Sequence, residues 1–163
     1  VKRAIVVVLA GLAVVLSAYR FWASDERRIE RLLDAVADAV SQDADSGGVV
    51  GLAELTGLAT HLATDVTLDP GAPFRPISGA QDVVSTVGRM RAASELLRLE
   101  VTDREVTVDS DAAVVNATAR LAIRYRDGTE SLEVRDVVIV LAKREAGWVI
   151  ATTRVVGVVQ PPP

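Results

Sequence analysis

Three patterns of apolar and polar positions follow one another along this chain. The first is continuous: Ala4 to Tyr19 (AIVVVLAGLAVVLSAY) carries no charge. The second repeats every three to four residues. Ile29, Leu32, Leu33, Val36, Ala37 and Val40 form one stripe, predicting a helix from about Asp25 to Gln42 that stops before Asp45-Ser46-Gly47-Gly48. Ser24 is placed to cap it, with Asp25 and Glu26 at its positive dipole end. Leu52, Leu55, Leu58, Ala59 and Leu62 predict a second helix over about Gly51 to Ala63. DVTLD (Asp65 to Asp69) alternates as a short strand, and PGAPFRPISG is an irregular loop. Ser78 and Gln81 read as a capping box opening a third helix, with Val83, Val84, Val87 and Met90 inward.

From Leu97 onward the period is two. Strands are expected over Leu97 to Val108, Ala112 to Arg126, Leu132 to Lys143 and Trp148 to Val158, joined at Asp109-Ser110-Asp111, Asp127-Gly128 and Glu145-Ala146-Gly147. Three consecutive hairpins make an antiparallel meander, which the tail Pro161-Pro162-Pro163 cannot extend. In VVIVL (Val137 to Leu141) both parities are apolar, so the strand is central and covered on two faces. Either a homodimer through the outer sheet face or, within one chain, the curl of the sheet and the proline-rich loop would provide the second cover.

The continuous run is the membrane signal. With Arg20 snorkelling and Phe21 and Trp22 suited to the interface, Ala4 to Ala23 gives 20 residues, about 30 Å of helix. Signal-peptide cleavage requires small residues at the A-x-A positions, and Leu16, Phe21 and Trp22 interrupt them. The sequence therefore predicts a retained anchor over residues 1–23, with membrane contact through residues 4–23. Lys2 and Arg3 favour a cytoplasmic N-terminus and a domain outside the cytoplasm. The domain follows at residues 24–158 and a proline tail at 159–163.

Composition narrows the chemistry. The 163 residues include no cysteine and a single histidine, which excludes disulfides, Cys-ligated metals and paired-His zinc sites. Beyond Ala23 the chain has 15 basic against 22 acidic residues, a balance of −7 that offers no footprint for a phosphate backbone, so no nucleic-acid partner is expected. No phosphate-binding glycine loop, nucleophile elbow or calcium-loop spacing is present, and neither metal nor cofactor is expected. His61 falls outside the apolar stripe of its helix and beside Glu54, as a solvent-facing residue. Met90 is core filler, and the glycosylation sequon at Asn116 lies mid-strand.

The order of helix, helix, short strand, proline-rich loop, helix and four-strand meander resembles the nuclear transport factor 2-like superfamily, in its SnoaL-like (polyketide cyclase-like) branch. The resemblance rests on the helix Ile29 to Val40, HLATDVTLD, ISGAQDVVSTV and GWVIATTRV, and covers residues 25 to 158. It implies an α+β fold in which three helices pack on a curved, mainly antiparallel sheet to form a cone. Relatives include isomerases, cyclases, dehydratases, transport adaptors and non-catalytic accessory domains. An isomerase-like site would need a tyrosine on the first helix, and Asp25 to Gln42 has none. The pocket candidates are Asp69, Arg75, Tyr125, Asp136 and Trp148. Asp136, interrupting an apolar strand, reads as a buried general base or, structurally, as an ion-paired, edge or bulge residue; Asp69 reads as a turn former and Trp148 as a core anchor. With no acid–base pair legible, the expected function is a non-catalytic binding or assembly module of the cell envelope. The alternatives are a small-molecule enzyme of the cyclase or isomerase type and a scaffold subunit of a membrane complex. The cone also admits a small apolar ligand.

Overall fold

A computed structural model of the protein describes residues 24–43 and 49–158. The anchor expected over residues 4–23 and the tail at 159–163 lie outside the described residues. Among those described, no helix is long and apolar enough to cross a membrane.

Helix α1 occupies residues 24–40. The predicted stripe is its buried side: Ile29, Leu32, Leu33 and Ala37 are buried, and Val36 packs against them. Helix α2 (Val49–Thr60) ends three residues earlier than its pattern predicts. His61 closes it in a turn, and Leu62 and Ala63 open strand β1 (Leu62–Asp69) instead. The reason is tertiary, since Leu62 registers with Ile150 in a parallel pairing that no local period encodes.

After the proline-rich loop, β2 (Ile77–Ser78) pairs antiparallel with β1. Helix α3 (Ala80–Ala93) follows. The expected Ser78–Gln81 capping box does not form. Ser78 is committed to the β2 pairing, and the N-cap is Gly79 at φ 94°, with no side-chain cap bond. That left-handed backbone favours glycine. Gly79 N–H donates to Val66 O at 2.8 Å, holding the helix start against β1.

Four long strands complete the chain: β3 (Ser94–Asp109), β4 (Ala112–Tyr125), β5 (Glu130–Arg144) and β6 (Gly147–Val158). The sheet order is β2-β1-β6-β5-β4-β3, with only β1–β6 parallel. The expected meander and its turns are present, each strand beginning or ending within about three residues of its pattern. Strand β3 carries an irregularity between Thr102 and Glu105, with Asp103 at φ 50°. At this bulge Arg104 reaches Asp34 at 2.6 Å and the Glu30 carbonyl at 3.3 Å, tying the sheet to α1.

The core lies between α1 and the inner sheet face. Alternation puts Ala113, Val115, Ala117 and Ile123 of β4 there, with Val137, Ile139 and Leu141 of β5, and Trp148 and Ile150 of β6. The side of the sheet to which the resemblance assigns a cone carries this apolar core, Ile29, Leu33, Val66, Val115 and Leu141 each being at most 2% exposed.

Candidate functional site

Two buried ions define the polar chemistry beside this core. The first is Asp25, 5% exposed, on α1. Its Oδ2 accepts from Lys143 Nζ at 2.8 Å and its Oδ1 from Arg28 Nη1 at 3.4 Å. Lys143 is held in turn over the Trp148 ring, 5.5 Å from the centroid. The Lys143 hydrogen bond holds Asp25 below the ordinary aspartate value of 3.8, against desolvation, which acts upward. The Trp148 indole and the charges of Lys143 and Arg28 lower it further. Trp148 Nε1 is buried and outside hydrogen-bonding geometry to any acceptor, so it acts on the carboxylate as a nearby dipole. A carboxylate held ionised in this way is a structural counter-ion rather than a general base near neutral pH.

A shallow cleft of about 440 Å³ opens beside this cluster, between α1, the α2–β1 junction and the β5–β6 hairpin. Arg28, Arg31 and His61 line it together with Leu32, Ala35 and Trp148. His61 is therefore half-buried in a turn at a cleft, not on an exposed helix face. Glu54 is paired with Arg91.

Arg91 is the second buried ion, 4% exposed near the end of α3. Its Nε donates to Gln42 Oε1 at 3.1 Å, and its Nη atoms donate to the Ser41 carbonyl at 3.0 Å, the Ala39 carbonyl at 3.4 Å and the Glu54 carboxylate. The last carbonyls of a helix have no intrahelical donor, and a guanidinium there satisfies them and complements the negative dipole end. A neighbouring cleft of about 430 Å³ is lined by Asp38, Asp43, Glu54 and Glu100, with Arg98 paired to Asp43 at 3.6 Å. Among the described residues, no group of three His, Cys, Asp or Glu side chains is arranged to hold a metal ion.

The five residues singled out from the sequence are not brought together around one cavity. Asp69 ends β1, its Oδ1 accepting from Gly71 N–H at 3.0 Å in a turn. Arg75 is exposed in the proline-rich loop, and Tyr125 is half-buried at the end of β4, opposite Ser94. Asp136 is exposed on the outer sheet face, beside an irregularity of the β5–β6 pairing, where Thr118 Oγ1 donates to it at 3.4 Å. It is therefore not a buried base. Trp148 alone lies in the core, as the anchor its pattern indicated. Asp25 and Arg91 were not legible as buried: Asp25 reads as a helix-opening charge, and no motif singles out Arg91. The only local hint is that Arg91 falls one residue after Met90, next to the apolar face of α3.

Comparison with known proteins places this geometry. Among solved structures, a nuclear transport factor 2-like superfamily protein from Salmonella enterica superposes with a TM-score of 0.68 at 17% identity, covering 86% of this chain and 95% of that one. A putative scytalone dehydratase from Novosphingobium aromaticivorans gives a TM-score of 0.68 at 12% identity, covering 82% and 83%. A putative calcium/calmodulin-dependent protein kinase II association domain from Xanthomonas campestris gives 0.64 at 16% identity, covering 83% and 89%. No curated protein matches significantly. These likenesses establish the nuclear transport factor 2-like fold. Residues 52–154 match the SnoaL-like domain, so the chain belongs to the SnoaL-like domain family.

Proposed function

We propose that this protein is a non-catalytic assembly module of the cell envelope, anchored through residues 4–23 with its domain outside the cytoplasm, that pairs through the outer face of its sheet. The observation that carries this reading is the distribution of apolar side chains over the two faces. The inner face carries the buried core. On the outer face, Val138 and Val140 of the central strand are half-buried, and Val114 beside them is 38% exposed. Asn116, Thr152 and Arg154 border this patch across the registered strands. Such a mixed surface suits a modest, partly polar interface. The resemblance to an association domain is consistent with that use of the fold.

Light scattering on the detergent-solubilised full chain tests the pairing. A dimer that Val138→Lys converts to monomer supports it, and a strictly monomeric wild type overturns it. Carbonate extraction of membranes tests the anchor: the full-length protein should remain in the pellet.

A second reading, a small-molecule enzyme of the SnoaL-like type, draws on the likeness to a putative dehydratase. It requires the purified full chain to turn over a small-molecule substrate.

A further inference from the structure

The geometry points to an anion-binding cleft at the α1, β5–β6 hairpin corner that takes an acidic amphiphile, a carboxylate or phosphate head on a short apolar body. Arg28 and Arg31 stand one helical turn apart and both line the cleft. Like charges at that spacing repel along a helix, and no carboxylate lines this side to offset them. Neutralising Asp25 does not account for both. Lys143 holds that carboxylate at 2.8 Å, whereas Arg28 reaches it only at 3.4 Å with its side chain 58% exposed. Across the helix ridge, Glu30 and Asp34 share a groove with the same arginines, but Asp34 is engaged by Arg104 at 2.6 Å. The charged side chains that line the cleft itself are thus both cationic, which is the condition for recruiting an anion.

The rest of the cleft fits the apolar part of such a ligand. Leu32 and Ala35 of α1 and the buried Trp148 supply apolar lining, with the Lys143 ammonium over the Trp148 ring. His61 adds a polar ring at the edge, and the volume of about 440 Å³ lies in the range of small-molecule sites, about 300–1,000 Å³. The ligand could come from a bilayer, as an acidic lipid headgroup, or from solution, as a free acid. The chemistry of recognition is the same.

The test uses the full chain in neutral detergent, in a Trp22→Phe background, so that Trp148 is the only tryptophan reporting by fluorescence. The free probe is octanoate, with octanamide as its uncharged match. The bilayer probe is reconstitution into phosphatidylcholine vesicles with and without phosphatidic acid. A saturable Trp148 response to octanoate and not to octanamide supports a site for free acids. A response only to phosphatidic acid vesicles supports the same site with lipid as the source. In either case the double variant Arg28→Gln, Arg31→Gln should weaken binding by about tenfold or more. Ala35→Leu, which fills the cleft without changing charge, should weaken it too, and Arg89→Gln, exposed on α3, should not. Equal responses to octanoate and octanamide, no response to any probe, or a response that survives the double variant would overturn the inference.

Discussion

At one end of helix α1 a carboxylate is buried beneath cations; at the other, a guanidinium is buried beneath carbonyls and a carboxylate. The two ends look symmetrical in charge but differ in what the buried ion satisfies. Asp25 is paired mainly by one ammonium from a distant strand, with Arg28 a longer second contact. Arg91 spends its donors on two backbone carbonyls, a glutamine and a glutamate, joining α1, α2 and α3 at a single point. One end therefore leaves Arg28 largely exposed beside a cleft, whereas the other converts its ion into a structural joint. A buried ion supports folding in proportion to the groups that would be left unsatisfied without it.

This contrast can be broken most strongly at Arg91. Arg91→Ala leaves helix-terminal carbonyls and Gln42 without their donor and should cost about 3–5 kcal/mol, read by urea denaturation. A loss below about 1 kcal/mol would mean that water replaces the guanidinium and the joint is not structural.

At the opposite end, Lys143→Met removes the principal partner of Asp25 while keeping the aliphatic stem against Trp148. The expected loss is about 1.5–3 kcal/mol, smaller because Arg28 can still approach the carboxylate. If this variant is as destabilised as Arg91→Ala, the two ends are equivalent and the comparison fails.

A pH titration sharpens the same point. The folded value of Asp25 lies below 3.8, so its contribution is fully present above that pH. It is lost as pH falls through the lower folded value, because the unfolded state then binds the proton more readily. Stability measured from pH 5 downward should therefore fall more steeply in the wild type than in Asp25→Asn. Parallel curves would show that the Lys143 pair contributes nothing.

The smallest effect is expected from Arg28→Gln, within about 0.5 kcal/mol, as for exposed charges generally. A larger destabilisation would assign Arg28 to the Asp25 counter-charge rather than to the cleft that distinguishes this end.

Elements whose signal is local were legible in the residues alone. The stripe from Ile29 to Ala37 is buried as its spacing requires, and the alternation from Ala113 to Ile123 separates the sheet faces. Asp127-Gly128 turns its hairpin with Gly128 at φ 84°. In each case the periodicity of the backbone decides which side chains share a face, and the apolar ones show which face is inside. Val137 to Leu141 likewise announced a strand with apolar residues on both faces.

What tertiary structure decided depends on partners far apart in the chain. Asp25 and Lys143 are 118 positions apart, and Arg91 meets Gln42 across 49, distances over which no sequence period carries information. Leu62 and Ala63 left a plausible helix because β6 supplied a parallel partner, and Ser78 left its capping box because β1 claimed its backbone. Asp136 lies outside because the strand's parity turns it there, while Asp25 lies inside because a lysine and a tryptophan from the far hairpin converge on it. Local pattern sets secondary structure and the inner face. Which charges are buried, and which line a cleft, is settled only when distant segments pack and desolvate them together.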